Sequence, residues 1–148
     1  MITTTSLHVA KFIIQKAKSP VSNLKIQKLL YYVQGWHLGI HGEPVFSHPI
    51  QAWIHGPVVP YVFGKFKGYK WTSIPPDPTP MVLTPQVEVH EMKVLNAYQH
   101  LTAAQLEAIS HKESPWLEAR RGLAPDQPST AEITHASMKR YFRQKAHG

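Results

Sequence analysis

The chain contains no cysteine. Disulfide staples, thiolate nucleophiles and cysteine-based zinc sites are excluded together. Acidic residues are scarce, nine against sixteen Lys and Arg, and no two carboxylates have an obvious shared face for general acid–base work. The eight glycines never fall into G-x-G-x-x-G or a Walker pattern, so no phosphate-cradling loop is encoded. Gly-x-Ser-x-Gly and His-Glu-x-x-His are missing too. No apolar run is long enough to span a bilayer. Met1 and Ile2 lead into Thr3, Thr4, Thr5 and Ser6 rather than a signal-like apolar stretch. Catalytic groups can assemble from distant residues, but nothing here argues for an enzyme. The expectation is a cytoplasmic, non-enzymatic protein without a cofactor.

What is present fits one domain over residues 1–148: that length with 43% hydrophobic content supports a real core. Its centre is the stretch 22–41. Ile26, Leu29, Leu30, Val33, His37 and Ile40 follow the spacing of one helix face, and Leu24, Tyr31, Tyr32, Trp36 and Leu38 spread apolar surface beyond it. A helix greasy on most sides must be wrapped by other elements. Ser22 is its cap, with Val21 and Ile26 at hydrophobic-staple positions. The fold class expected is mainly α with a small β-hairpin (α+β), about six helices wrapped around this central one.

Other elements follow in order. Residues 6–18 read as a helix capped by Ser6 and ended by Ser19-Pro20. Residues 44–47 and 50–55 read as two strands of a hairpin, with Gly56-Pro57 as the break after them. A helix starts between Pro57 and Pro60. Residues 68–84 form a long proline-rich loop carrying Tyr69, Trp71, Ile74, Met81, Val82 and Leu83. Those side chains either pin it to the body or bind a partner. Thr84-Pro85, the Thr102/Gln105 capping box, Ser114-Pro115 and Thr134 open the remaining helices.

Two features invite chemistry. Ten histidines raise the question of metal, with His37 and His41 four apart on a helix and His48 and His55 in the adjacent hairpin. Buried or exposed structural histidines account for them more economically, which leaves a His-metal hydrolase as the remote alternative. The formal charge of +7 would draw anionic partners, nucleic acid or an acidic protein. Its densest group is Lys139, Arg140, Arg143 and Lys145, read either as a solvated helix face or as a nucleic-acid patch. A third feature is the group His111, Glu113, Trp116 and Arg120. It is either a recognition cluster or a packed corner in which Glu113 ties to Arg120 or to backbone N–H groups.

Longer motifs add a resemblance. Leu24-Lys25-Ile26-Gln27-Lys28-Leu29-Leu30-Tyr31-Tyr32-Val33-Gln34-Gly35-Trp36-His37-Leu38 resembles the signature of the Panacea-domain antitoxins, also known as SocA-like or GepA-like phage-associated proteins. The likeness continues through Ile50-Gln51-Ala52-Trp53-Ile54-His55-Gly56-Pro57-Val58-Val59-Pro60, followed by Tyr61 and Phe66. It extends to His111-x-Glu113-x-Pro115-Trp116-x-x-Ala119-Arg120 and to Ile133, Met138, Tyr141 and Phe142. The resemblance implies an antitoxin of a toxin–antitoxin or phage-defence system that binds a cognate protein toxin directly. One branch of the family resembles an adaptor to a ClpXP-type protease. Some members carry N-terminal segments that help choose the toxin, a source of specificity this chain is expected to lack. The candidate toxin-binding residues are Trp53, His55, Tyr61, Trp71, His111, Glu113, Trp116 and Arg120, on the hairpin, the proline-rich loop and the 113–120 corner. A nucleic-acid-binding regulator is the alternative.

Overall fold

Thr5, rather than Ser6, opens the first helix. Its side-chain oxygen accepts the His8 N–H at 3.2 Å, while Ser6 is already inside and hydrogen-bonded to His48 Nδ1 at 2.6 Å. Both residues are cap-competent, and burial decides between them. The structure, a computed structural model, describes residues 5–148; the first four residues of the 1–148 domain range lie outside the described residues.

The elements are α1 (Ser6–Lys16), α2 (Asn23–His41), β1 (Ile50–Trp53), β2 (Gly56–Val58), α3 (Pro60–Phe66), a 3-10 turn (Lys67–Tyr69), α4 (Pro85–Tyr98), α5 (Ala103–Ser110), α6 (Ser114–Ala119), β3 (Glu132–Ile133) and α7 (His135–His147). Among the described residues there are seven helices, with α2 at their centre, as expected. No described helix is long and apolar enough to cross a membrane. Ser22, Thr84, Thr102 and Thr134 each cap the helix predicted for them, and Thr102 and Gln105 close the reciprocal capping box.

Helix α2 is buried on nearly every side, through Ile26, Leu29, Leu30, Tyr31, Tyr32, Val33 and Leu38. Each such aliphatic side chain contributes about 2 kcal/mol of transfer free energy. The exceptions are Leu24 and Ile40, which the helical pattern makes apolar but which are 38% and 53% exposed. The most extensive neighbour of α2 is α7. Gly35 and Gly39 make that crossing possible. A Cβ on Gly35 would lie 2.2 Å from Phe142 Cε2, and one on Gly39 would lie 2.7 Å from the Arg143 backbone nitrogen.

The polar residues that punctuate α2 are clamps. Gln34 donates to the Phe46 carbonyl at 2.7 Å and accepts from the Val45 and Phe46 N–H groups at 2.8 and 3.3 Å. Gln27 accepts from Val59 N–H at 2.9 Å, and His37 Nδ1 meets the Glu43 carbonyl at 2.6 Å. Lys25 Nζ donates to the Gln99 carbonyl at 2.6 Å. Buried backbone groups need partners, and here a helix side chain supplies them.

That arrangement corrects the hairpin. Residues 44–47 form no strand, because Gln34 takes the hydrogen bonds a partner strand would have made. The hairpin instead folds β1 onto β2 around Ile54-His55, with Ala52 opposite Pro57. Gly56-Pro57 is thus part of the second strand and not a break. Proline is tolerated there because β2 is an edge. Behind β1 lies β3, paired through Ile50 with Ile133 and Gln51 with Glu132, giving a three-stranded antiparallel sheet in the order β2-β1-β3.

Candidate partner-binding surface

The 113–120 corner is assembled by α5, α6 and β1. Trp116 is 2% exposed and donates its indole N–H to the Trp53 carbonyl at 2.8 Å. His111 stacks on its ring at a centroid distance of 4.1 Å, and the Arg120 guanidinium lies 4.5 Å from the ring centre. Arg120 does not meet Glu113. It donates to the Ala52 carbonyl at 3.1 Å, to the Ala124 carbonyl at 2.9 Å and to the Gln127 carbonyl. The guanidinium therefore staples β1 to the loop after α6.

Glu113 points the other way, into α2 and α7. Its Oε1 accepts from Tyr31 and Tyr32 hydroxyls at 2.9 and 3.2 Å, and Lys145 Nζ stands 3.7 Å from Oε2. Burial raises its carboxyl above the ordinary range, while the tyrosine hydrogen bonds and the Lys145 charge pull it back. Burial also lowers the His111 imidazole. The expected tie between Glu113 and Arg120, or to backbone N–H groups, is replaced by these tyrosine and carbonyl bonds. Glu113, Trp116 and Arg120 are 2%, 2% and 4% exposed, so they build the corner from inside and offer no surface to a partner.

Trp53 is half-buried, edge-on to Phe63 at 5.1 Å, with its N–H on Gln51 Oε1 at 2.8 Å. His55 is exposed at the hairpin tip, 3.4 Å from Glu107 Oε1. Tyr61 is 44% exposed and stacks on His48 at 4.1 Å. Trp71 is 78% exposed. The candidates therefore divide: Tyr61, Trp71 and His55 face solvent, Trp53 and His111 are partly covered, and the other three are interior.

The proline-rich loop is held by a few ties rather than by its aromatics. Ile74 is buried and its N–H donates to the Val21 carbonyl at 2.9 Å. Gln15 donates to the Asp77 and Thr79 carbonyls at 2.7 and 2.6 Å, and Lys11 meets Asp77 at 3.2 Å. Tyr69 and Val82 remain 41% and 86% exposed. Beside them Lys65, Lys67 and Lys70 are exposed, residues that a reading centred on tryptophan and histidine passes over. The alternation Lys65-Phe66-Lys67-Gly68-Tyr69-Lys70-Trp71 was the available signal.

His37 and His41 do not converge with the hairpin histidines His48 and His55. His37 and His41 rings are 4.6 Å apart and His90, not a hairpin histidine, completes that group. His48 is on Tyr61 and His55 on Glu107. His37 Nδ1 and His90 Nε2 are both engaged by backbone carbonyls, and burial holds His90 down to about 4. Among the described residues no group of three His, Cys, Asp or Glu is arranged to hold a metal ion.

Set against known proteins, residues 26–117 match the family described as antitoxin SocA-like, Panacea domain. The chain is 34% identical over 124 residues to the antitoxin SocA of Caulobacter vibrioides, covering 73% of this chain and 66% of that protein. It thus spans just under two thirds of that relative's length. No solved structure matches it.

Proposed function

Because the chain belongs to the SocA-like antitoxin family defined by the Panacea domain, we propose that it is an antitoxin that neutralises a cognate toxin by direct protein–protein binding. The observation that carries the reading is the exposed aromatic set on an ordered scaffold. Tyr61 and Trp71 stand out from a body whose core is closed around α2. Rigid aromatics with little conformational freedom to lose are efficient interface anchors. Inhibition is steric on this reading: the antitoxin covers the toxin's working surface and no chemistry is required of it.

The nucleic-acid alternative loses its support at α7. Arg140 pairs with Glu118 at 2.5 Å, Lys145 lies beside Glu113, and Arg143 donates to the Gly39 carbonyl at 3.1 Å. Most of that basic group is therefore occupied within the chain instead of forming a free phosphate-binding stripe.

The test is co-expression with the product of the adjacent reading frame. Growth arrest by that product alone, relieved by this chain and accompanied by co-purification, is the expected result. A neighbour that is harmless alone, or equally toxic with this chain present, sinks the reading for the pair. Following the toxin's half-life in cells with and without ClpXP-type protease separates plain occlusion from an adaptor role.

A further inference from the structure

Charge is unevenly distributed along this chain. Eight of the sixteen Lys and Arg residues but only two of the nine acidic ones, Glu43 and Asp77, precede Glu88. No acidic residue at all lies between Glu43 and Asp77. In the fold, that interval contains α3, the 3-10 turn and the start of the proline-rich loop, where Lys65, Lys67 and Lys70 are exposed. No carboxylate of the described residues pairs with any of the three. The basic side chains of α7, in contrast, are largely engaged.

Exposed aromatics adjoin these lysines along the chain. Lys65 Nζ lies 5.2 Å from the Tyr61 ring centre, and Tyr69 and Trp71 follow at 41% and 78% exposure. Between them Lys70 sits at φ 54° and ψ −120°, a positive-φ conformation outside the left-handed helical well that costs an L residue roughly 1–3 kcal/mol. It is held by Lys70 N–H on the Lys67 carbonyl at 3.1 Å and Thr72 N–H on the Tyr69 carbonyl at 2.9 Å. The turn leaves both rings exposed, Tyr69 beside Phe66 and Ile74 and Trp71 beside Ser22, Ser73 and His100.

Alongside runs a groove of about 400 Å³, floored by Leu7, Ile14, Phe66 and Ile74 and edged by Lys11 and Lys65. One lip already shows what the groove's ammonium groups accept: Lys11 takes the Asp77 carboxylate at 3.2 Å.

We propose that the face made by α3, the 3-10 turn and the adjoining groove is the docking surface for an acidic segment of the toxin bearing an apolar anchor, a proposal that rests on the antitoxin reading. The partner's carboxylates meet Lys65, Lys67 and Lys70, and its anchor enters the groove beside Tyr69. A protein suits the site better than nucleic acid. The floor of Leu7, Ile14, Phe66 and Ile74 takes an apolar side chain, which a polypeptide carries beside its carboxylates and a phosphodiester backbone does not.

The experiment measures binding of the purified chain to the product of the adjacent reading frame, at low and high salt. The face variant K65E/K67E/K70E is compared with K93E/K112E/R121E, which changes net charge equally at exposed positions elsewhere. The face variant is expected to slow association about 30-fold at low salt and to remove most of its salt dependence. The control should change it only slightly. Y69A, at the groove itself, should speed dissociation about 30-fold while leaving the far-ultraviolet spectrum unaltered. Equal effects of the two triple variants overturn the proposed face while leaving the antitoxin reading intact. Failure of the wild-type chain to bind removes both. If an oligouridylate is retained by the wild type and lost by the face variant, while toxin rescue is undiminished, the face binds nucleic acid and the proposal is wrong.

Discussion

Glu91 is fully buried in α4, and neither of its carboxyl oxygens has a hydrogen-bond partner. With only Glu88 as a charged neighbour, burial pushes the carboxyl from 4.5 up to about 9. The folded chain therefore holds a proton at neutral pH that the unfolded chain releases. The sign follows from linkage: a raised folded-state value means full stability below 4.5, progressive loss as pH rises, and complete loss once pH passes about 9. The slope within that window is about 1.4 kcal/mol per pH unit. At about pH 7 the wild type has accordingly lost on the order of 3 kcal/mol. Glu91→Gln keeps the shape and removes the titration, but adds an unsatisfied donor worth about 1 kcal/mol. The net expectation is a variant more stable by about 2 kcal/mol at neutral pH, with the gain growing toward alkaline pH. Urea unfolding of both proteins at several pH values between about 6 and 8.5 measures it, because the unfolding free energy itself carries the linkage. Buried His90 and Lys28 also titrate, but they are common to both proteins and cancel in the difference. A difference independent of pH, or a variant less stable throughout, would refute a buried neutral carboxyl at this position.

Three further outcomes follow from the packing. Gly35→Ala would stabilise an unobstructed helix by about 1 kcal/mol. Here the added methyl overlaps the Phe142 ring, so thermal unfolding should show a loss of about 2 kcal/mol instead, and the penalty should shrink in a Phe142→Ala background. Gln34→Ala strips partners from the Val45 and Phe46 backbone and should cost about 3 kcal/mol, with faster hydrogen exchange at those two amides. Trp71→Ala should leave the unfolding midpoint within the range of an ordinary surface change, about 0.5 kcal/mol, yet impair growth rescue in the co-expression assay.

The helical part of this fold is legible because its signals are local. Thr84 is read from the proline that follows it, Thr102 and Thr134 from partners three or four positions beyond, and all three hold. The sheet is not local, and it is where the reading slips. Val45-Phe46 has strand character, but its partner is Gln34, a side chain on a helix that no pattern within residues 44–47 reveals. Glu132–Ile133 is too short to show any period, although it completes the sheet. Gly56-Pro57 reads as punctuation until the edge position of β2 is known. The candidate surface divides on the same line. That His111, Trp116 and Arg120 would meet is visible from their spacing along one chain segment. That Arg120 is buried depends on the carbonyls of Ala52, Ala124 and Gln127, brought to it by tertiary structure.

The polar side chains of α2 connect these observations. A wholly apolar central helix would leave the backbone at Val45, Phe46 and Val59 unpaired against it, and buried unpaired amides are costly. Gln27, Gln34 and His37 remove that cost by holding the surrounding segments from within. The loop 68–84 is likewise fixed by Ile74, Gln15 and Lys11, so Tyr69 and Trp71 are not needed as packing. Scaffold and exposed aromatics are thereby supplied by different residues. Substitutions at Gln27 and Gln34 should lower stability and toxin neutralisation together, each in proportion to the other. Substitutions at Tyr69 and Trp71 should lower neutralisation alone. A variant set scored for both unfolding midpoint and growth rescue tests that division, and a single line through all four positions would show that the exposed rings matter only through the fold.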